Sequence, residues 1–481
     1  MSTVAFQTLG CKVNFYDTEG IWQRFKTAGY TQVPFDQPAD VYVINTCTVT
    51  HTGDKKSRQV IRRAVRTNPD AVVAVTGCYA QVAPEAVARI PGVDLVVGND
   101  QKGSIVDLIE RTHGEQQPYR VVGNILKTRE FEELEVEYFE ERHRASLKIQ
   151  DGCNNFCTFC IIPYARGLVR SRKPENILAQ ARKLVAAGYR EIVLTGIHTG
   201  GYGADLSGYR LSHLLEELEG VDGLHRVRIS SIEASEIDDH LIEVLAKSTK
   251  VCHHLHIPLQ AGHNEVLRRM NRHYTVEEFA TKLARLRSGW PNVAVTSDVI
   301  VGFPGETDAY FEQSVRFIQE QKFSQLHVFP YSKRTGTPAA KFVDQVPDAA
   351  KEARVQRLLQ ISRELTEDYA LRHAGSIVEV IPEQPLEIEG SGAKMGTHPD
   401  GKPGFWLMGH ADNYLKVAFA VPQGLAAEEL MGEVCQVRLT DTGSILQYGD
   451  FERQVTFAEP VASDYEALDL TEIMENDRQF G

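Results

Sequence analysis

The sequence lacks any apolar run close to the about 20 residues that a membrane-spanning helix needs. Its first residues, MSTVAFQTLGC, lack the basic segment and apolar run of a secretory signal. It also lacks an excess of positive charge, because 65 acidic residues against 52 basic ones give a formal net charge of −13. This balance argues against indiscriminate binding to polyanions. We therefore expect a cytoplasmic protein whose partners include no membrane and no DNA.

The sequence does contain enough apolar residues to form several hydrophobic cores. Hydrophobic residues make up 42% of the 481 positions, and a chain of this length predicts two to four domains. Eight cysteines are present, and in a reducing compartment they indicate metal binding or redox chemistry rather than a disulfide framework.

The first hundred residues alternate short apolar strands with amphipathic helices, which predicts a parallel sheet covered by helices. Three cysteines occupy the same place in this pattern. Cys11, Cys47 and Cys78 each follow the end of a strand, in LGC, NTC and TGC. Ligands bind at the carboxyl edge of open α/β sheets, so these three residues can converge there.

The whole chain divides by composition into five parts. An α/β domain at 1–115 is followed by a glutamate-rich linker at 116–145, which we expect to be exposed. Strand–helix alternation over 146–372 predicts a partial (βα)6 barrel, with chemistry on its C-terminal strand ends. Residues 373–453 predict a small antiparallel β-barrel, and residues 454–481 form an acidic tail. The fold class is thus α/β with a small β domain.

A tight cysteine loop carries the chemistry of the second domain. Cys153, Cys157 and Cys160 follow the strand SLKIQDG with spacing x3 and x2. Thiolates hold Fe–S clusters, and three ligands on a four-iron cluster leave one iron open. A structural zinc site is the alternative, but zinc needs a fourth ligand and the sequence places no further cysteine or Cys/His pair nearby.

With Phe159 in the aromatic slot, this loop resembles the signature of the radical S-adenosylmethionine (SAM) superfamily. The resemblance implies that SAM binds the open iron of a [4Fe-4S] cluster and is cleaved to a 5′-deoxyadenosyl radical on one-electron reduction. An electron donor such as flavodoxin or ferredoxin is then an expected partner. Strand ends of such a barrel hold the cofactor, and they supply our candidate SAM-binding residues: Phe159, Thr195, Gly196, Gln260, Asp298 and Gly302.

Over nearly its whole length the chain is similar to the methylthiotransferase family. The resemblance is carried by the following segments: TLGCKVN (8–14), NTCTVT (45–50), GCYAQ (77–81), QDGCNNFCTFCIIPYARG (150–167), HIPLQAG (256–262) and FPYSKRTGTPAA (329–340). It implies that Cys11, Cys47 and Cys78 hold a second [4Fe-4S] cluster and that the C-terminal barrel is an RNA-binding TRAM domain, into which residues 387–404 look inserted. The reaction replaces C–H with C–S–CH3, with SAM as both methyl donor and radical source. Three buried, inert thiols are the alternative for the N-terminal cysteines.

The segments TLGCKVN and DKKSRQ look most like the subfamily that modifies N6-threonylcarbamoyladenosine at tRNA position 37. An anticodon-loop base has to leave its stack to reach a buried site. We therefore expect phosphate contacts from two basic segments, although basic residues in such segments are often simply solvated. The candidates are Lys55, Lys56, Arg58, Arg166, Arg170 and Arg172.

Three other functions remain open at this point. Two belong to the same family: methylthiolation of isopentenyladenosine in tRNA, and of an aspartate in a ribosomal protein. The third is of another class, a non-catalytic Fe–S protein that binds RNA or senses redox state.

Overall fold

The computed structural model describes residues 2–112, 118–139, 143–386, 395–397, 403–443 and 446–455. The acidic tail that the sequence predicts lies almost wholly outside these residues, as does much of the segment 387–404. Within the described ranges, no helix combines the length and the apolar character needed to cross a bilayer.

The N-terminal region forms the expected parallel sheet with helices packed on it. Six strands lie in the order β2-β1-β3-β4-β5-β6, and every neighbouring pair is parallel. Apolar clusters cover both faces, and the central strand VYVINT is buried at every position, as its unbroken apolar run predicts. The strands are β1 (Thr3–Thr8), β2 (Thr31–Gln32), β3 (Val41–Thr46), β4 (Val72–Gly77), β5 (Leu95–Val97) and β6 (Tyr119–Val121).

Five helices accompany this sheet. The first begins at Lys12, so Cys11 is its N-cap residue. The helices are α1 (Lys12–Thr27), α2 (His51–Thr67), α3 (Cys78–Val82), α4 (Pro84–Ala88) and α5 (Ile105–Thr112).

The central region is a partial barrel of six parallel strands, as the sequence predicts. Two three-stranded sheets, β7-β10-β11 and β12-β13-β14, are joined by isolated parallel bridges from Val227 to Val251 and from Ser231 to His256. A short hairpin, β8 with β9, closes over the end of the first strand. The strands are β7 (Ala145–Lys148), β8 (Gln150–Asp151), β9 (Arg170–Ser171), β10 (Glu191–Thr195), β11 (Arg226–Ile229), β12 (His254–His256), β13 (Ala294–Val301) and β14 (Gln325–Pro330).

Helices cover the outside of this barrel and share one large apolar core with its strands. A short helix, α6, follows the cysteine loop, and the long α13 packs on β14. The helices are α6 (Ile162–Arg166), α7 (Pro174–Ala186), α8 (Leu211–Glu219), α9 (Asp239–Lys247), α10 (Asn264–Arg269), α11 (Val276–Gly289), α12 (Asp308–Gln321) and α13 (Asp348–Leu371).

The glutamate-rich segment before β7 is not the exposed connection that we expected. Leu134, Val136 and Phe139 are buried at about 1% exposure and belong to the barrel core. Leu134 and Val136 alternate with the exposed Glu135 and Glu137, so this extended stretch buries one side and leaves the other at the surface. The alternation ends at Tyr138, which is exposed, and Phe139 is buried instead. Glu133, on that outer side, forms an ion pair with Arg172 at 2.7 Å. The glutamate-rich composition suggests a linker, but this segment packs its apolar side chains into the barrel core.

The C-terminal region is a closed five-stranded barrel in the order β15-β19-β20-β18-β17, with β17 also pairing to β15. Its strand pairs are antiparallel except for β18 with β20, which run parallel. The elements are β15 (Ile377–Pro385), β16 (Met395–Thr397), β17 (Pro403–Ala411), β18 (Lys416–Ala420), α14 (Ala427–Leu430), β19 (Cys435–Asp441) and β20 (Gln447–Gln454).

This small barrel docks on the amino-terminal ends of the central strands. Arg226 donates to the carbonyl oxygens of Glu379 (2.9 Å) and His410 (3.0 Å). Arg228 donates to those of Ala411 (2.9 Å) and Asp412 (3.0 Å). Both guanidinium groups also pair with one buried carboxylate, that of Glu191. The small barrel is thus held at the end of the central barrel opposite to the cysteine loop.

Candidate active site at two cysteine triads

The N-terminal cysteines lie at the carboxyl ends of three adjacent strands, as their sequence positions predict. Cys11 precedes α1, Cys47 follows β3, and Cys78 is the first residue of α3. Gly10 has φ +109°, and a Cβ there would lie 3.1 Å from the Sγ of Cys47. Only glycine allows this backbone to pass so close to the thiol.

Positive charge stands beside this triad. The guanidinium Nε of Arg166 donates to the Sγ of Cys78 at 3.4 Å. Burial raises the pKa of the Cys47 thiol, and the neighbouring Cys78 and Cys11 add to that rise. Three thiolates therefore need a compensating cation, and bound iron would supply one, because metal coordination deprotonates thiols. The donor set fits an iron–sulfur cluster.

Arg166 belongs to a buried charge network that joins the two α/β regions. Its Nη1 lies 2.8 Å from Asp17 of α1 and 3.1 Å from Asp151 of β8. Lys148 pairs with the same two carboxylates at 2.8 and 2.7 Å, and Lys102 pairs with Asp17. Burial would raise the pKa values of both aspartates, but the surrounding cations lower them well below the usual range. Both aspartates are ionised and paired.

The structure corrects one part of our RNA-binding prediction. Arg166, Arg170 and Arg172 are at most 2% exposed, so they do not form a phosphate-contacting surface. Arg170 donates to the carbonyl oxygen of Arg166 at 2.8 Å, and Arg172 pairs with Glu133. These cations serve carboxylates and carbonyls inside the protein, because an unpaired charge is costly to bury.

The other basic segment does lie at the surface. Lys55 and Lys56 are exposed in the first turns of α2, a few residues after Cys47. Arg58 is half-buried, and its Nη1 donates to the hydroxyl of Tyr79 at 3.2 Å. Lys55 and Lys56 remain candidates for phosphate contact, and Arg58 is partly engaged within the protein.

The second triad sits in the loop after β8, at the open end of the central barrel. The Sγ of Cys153 lies 3.9 Å from Nδ1 of His198 and accepts from the backbone N–H of Asn155 at 3.5 Å. Arg272 donates to the Sγ of Cys157 at 3.3 Å. Burial raises the pKa of the Cys160 thiol to about 12, so this site also requires a cation to hold its thiolate.

The spacing within both triads disfavours a single zinc ion. Tetrahedral zinc with Zn–S bonds of about 2.3 Å places its sulfur ligands about 3.8 Å apart. Across the described ranges, neither triad brings its three sulfur atoms within 4.8 Å of one another. Ligands on different iron atoms of one cluster are held farther apart than ligands of a single ion.

Two of the expected SAM-binding residues lie beside the cysteine loop. Thr195 and Gly196 end β10, and a Cβ on Gly196 would lie 2.9 Å from Oε1 of Gln150. That oxygen accepts from the backbone N–H of His198 at 2.9 Å, so the strand end is tied to the base of the cysteine loop.

The other four lie on or near the second sheet. The ring of Phe159 packs edge-on against Phe303, with centroids 6.4 Å apart. Gln260 has φ +65° and donates its backbone N–H to the carbonyl oxygen of Asp298 at 2.9 Å. Gly302 has φ +71°, and a Cβ there would meet the side chain of Lys351 at 2.3 Å. Packing therefore accounts for Gly302 without a cofactor.

The structure also reveals site residues that were absent from our candidates. His198 and Arg272 contact the cysteine loop, and Arg334 pairs with Asp54 and Thr48 next to Cys47. Burial lowers the pKa of His198, but its contacts with Cys153 and Glu236 raise it to about 10. These residues are distant in sequence from the thiols that they serve, and they follow no metal-ligand spacing. Only their places in or near strand-end motifs could have pointed to them.

Known protein families match the two regions of the chain that carry the cysteine triads. Residues 147–318 match the Radical SAM superfamily, and residues 3–98 match "Uncharacterized protein family UPF0004". The chain is 55% identical over 95% of its length to the threonylcarbamoyladenosine tRNA methylthiotransferase MtaB of Bacillus subtilis, covering 97% of that protein. It is 40% identical to the Aquifex aeolicus protein of that name, over 80% of this chain and 94% of that one.

A relative with a different named substrate is also similar. The tRNA-2-methylthio-N(6)-dimethylallyladenosine synthase of Carboxydothermus hydrogenoformans is 38% identical, over 78% of this chain and 87% of that protein. Among solved structures, the radical SAM methyltransferase TsrM of Kitasatospora setae superposes with a TM-score of 0.54 at 16% identity, over 70% of this chain and 77% of that one, which shows the shared fold. The radical SAM match implies a [4Fe-4S] cluster and SAM as cofactors. The chain is a radical SAM enzyme and belongs to the methylthiotransferase family.

Proposed function

We propose that this enzyme converts N6-threonylcarbamoyladenosine at tRNA position 37 into its 2-methylthio derivative. The observation that carries the proposal is the presence of two cysteine triads joined through Arg166. This residue touches Cys78 of one triad and Asp151, two residues before Cys153 of the other. A methylthiotransferase needs both a radical source and a sulfur source, and two linked thiolate sites fit that requirement.

Each triad would hold one [4Fe-4S] cluster, with Cys153, Cys157 and Cys160 binding the cluster that cleaves SAM. Cys11, Cys47 and Cys78 would bind the second. Together these groups supply the radical and methylthio chemistry that an unactivated aromatic C–H requires. The protein's own contribution is to place Arg166 against Cys78, Arg272 against Cys157 and His198 against Cys153, where these side chains would orient the ligating thiolates.

The substrate assignment rests on the relatives and on the surface. The relative that matches nearly the whole chain at 55% identity is named for threonylcarbamoyladenosine, whereas the relative named for dimethylallyladenosine matches at 38% over a shorter part. Lys55 and Lys56 are exposed close to Cys47 and would contact anticodon-loop phosphates. The target base would leave its stack to enter the barrel.

The C-terminal barrel would contact the tRNA at a second place. Its position at the amino-terminal ends of the central strands puts it far from the cysteine loop. Its contact would therefore fix the body of the tRNA rather than the reacting base. We also propose a small one-electron donor protein, such as flavodoxin or ferredoxin, as a partner.

The test is a nucleoside analysis of tRNA carrying the N6-threonylcarbamoyl group after incubation with anaerobically reconstituted enzyme, SAM and a strong reductant. We expect 2-methylthio product together with 5′-deoxyadenosine. A variant with Cys11, Cys47 and Cys78 all replaced by Ala should form 5′-deoxyadenosine but no methylthio nucleoside. Methylthiolation of dimethylallyladenosine instead, or of a ribosomal protein, would overturn the substrate. Absence of 5′-deoxyadenosine would overturn the radical chemistry.

A further inference from the structure

Inside the central barrel, three strands bring two histidines and an aspartate together away from both cysteine triads. Nε2 of His256 lies 3.2 Å from Oδ1 of Asp298, and Nδ1 of His327 lies 3.3 Å from the same oxygen. The two imidazole rings stack with centroids 5.3 Å apart. The residues come from β12, β13 and β14, which are neighbours in the sheet.

A chain of hydrogen bonds behind this group fixes its orientation. Nδ1 of His256 lies 2.9 Å from the hydroxyl of Thr296, which also lies 2.9 Å from Nε2 of His254. Both ring nitrogens of His256 are therefore engaged. His327 uses its Nδ1 on Asp298, and in the described part of the chain no group bonds its Nε2. With 39% of its side chain exposed against 13% for His256, His327 presents one polar atom to the interior space.

Positive charge surrounds this space. Burial holds the pKa of His254 well below its usual value, and the charges of Arg228, His256, Lys12 and His327 lower it further. Lys12, which directly follows Cys11, is one of these charges, so His254 lies within electrostatic reach of the start of α1. An anionic group bound in this space would be attracted by Arg228 and Lys12, and Asp298 would hold His327 in one orientation.

We propose that His327 binds the carboxylate of the N6-threonylcarbamoyl group through Nε2, with Asp298 and His256 as positioning residues. The proposal rests on the function proposed above and deepens it by assigning the substrate's acidic substituent to a residue. A dimethylallyl group has no polar atom to offer. It would desolvate the histidine without pairing it, and an unpaired buried donor penalises the wrong substrate.

A metal ion is the competing occupant, because three ligand atoms lie within 4.8 Å of one another. The distances of 3.2 and 3.3 Å also suit two N–H groups donating to one carboxylate oxygen. In that arrangement the nitrogens facing Asp298 carry protons, and the lone pairs that an ion would need are absent. In the proposed complex, His327 would carry a proton on both ring nitrogens, donating Nδ1–H to Asp298 and Nε2–H to the substrate carboxylate.

The experiment compares wild type and a His327 variant on two RNA substrates, in the manner of a double-mutant cycle. Full-length reconstituted enzyme is assayed on two anticodon stem-loops, one with the threonyl carboxylate and one with the corresponding carboxamide. We expect wild type to lose about ten- to hundred-fold in kcat/KM on the carboxamide, as for a lost charge-assisted hydrogen bond. His327→Gln should lose a similar factor on the carboxylate, mainly through KM, and should barely distinguish the two RNAs. His240→Gln, on the outer helix α9, is the control and should behave as wild type.

Other outcomes overturn the proposal in distinct ways. If His327→Gln loses equally on both RNAs, the residue has a structural role, which iron and sulfide content would corroborate. A raised KM for SAM with unchanged discrimination would assign the group to the cofactor. Loss of a stoichiometric metal beyond the cluster iron would assign it to an ion. If wild type forms no methylthio product on either RNA, the proposed function itself fails.

Discussion

Arg166 donates through Nε to the Sγ of Cys78, 88 residues away in sequence, at a distance of 3.4 Å. The same guanidinium contacts Asp17 of α1 and Asp151 of β8. One side chain therefore connects the N-terminal region, the thiol of Cys78 and the strand that precedes the other triad. A rigid link of this kind fixes the position of the N-terminal triad relative to the central barrel.

Replacing Arg166 by Leu should destabilise the protein by about 3–5 kcal/mol, because removing one partner leaves buried carboxylates under-compensated. Arg166→Lys should cost less, since it keeps the charge while losing the ability to contact both carboxylates. Denaturant midpoints of the two variants measure this difference. Equal midpoints for Arg166→Leu and wild type would show that Lys102 and Lys148 suffice.

Removal of a single N-terminal thiol should empty one of the two proposed metal sites and leave the other occupied. Cys78→Ala should lower iron and sulfide content to about half that of wild type and leave the Cys153 loop loaded, since in the proposed arrangement each triad would ligate its own cluster. Iron and sulfide analysis of anaerobically purified protein provides the measurement. Cys252→Ala is the control, because Cys252 is buried outside both triads and should leave the metal content unchanged. Full metal content in Cys78→Ala would contradict the two-cluster arrangement.

Charge reversal on α2 should weaken tRNA binding without affecting folding. Lys55→Glu with Lys56→Glu should raise the dissociation constant for tRNA and reduce the slope of its logarithm against log salt by about 0.7–0.9 per lost phosphate contact. Binding measured at several salt concentrations gives that slope. Lys26→Glu, an exposed lysine on α1, is the matched control and should leave the slope unchanged.

The buried arginines predict a contrasting result. Arg170→Gln should lower the denaturation midpoint, because Arg170 is 2% exposed and donates to the carbonyl of Arg166. It should leave the salt dependence of tRNA binding at the wild-type value. A reduced salt slope in this variant would mean that the residue reaches RNA after all.

His254 should make stability depend on pH. Burial, reinforced by Arg228, holds its pKa well below 6.5 in the folded protein, whereas the unfolded chain binds a proton near pH 6.5. Stability is therefore complete above pH 6.5 and is lost as pH falls, by about 1.4 kcal/mol at pH 5.5. His254→Phe keeps an aromatic ring against Tyr414 but cannot titrate. Its urea midpoint should fall less between pH 7.5 and 5.5 than that of wild type.

Much of the site could be predicted because its signals are local. Cys153, Cys157 and Cys160 share one loop, and Cys11, Cys47 and Cys78 each end a strand, so the parallel sheet order alone brings the latter three to one edge. The burial of Arg166, Arg170 and Arg172 could not be predicted from the local sequence. Whether a basic segment faces solvent depends on carboxylates elsewhere in the chain, and Asp17 is 149 residues from Arg166.

The glutamate-rich segment shows the same limit. Its composition resembles a solvated linker, but Leu134, Val136 and Phe139 enter the barrel core. His327 was overlooked for a different reason. It lies within a strand rather than after one, and only the pairing of three strands brings it to Asp298.

The small barrel is attached partly through its main chain, in addition to side-chain ion pairs such as Arg144 with Glu383. Arg226 and Arg228 donate hydrogen bonds to four backbone carbonyl oxygens of this barrel. A backbone carbonyl is present at each of these positions whatever the side chain is. The outward side chains of that barrel can therefore change from one relative to another without unseating it. The outward surface of the barrel can thus vary in sequence while these main-chain contacts to Arg226 and Arg228 are kept.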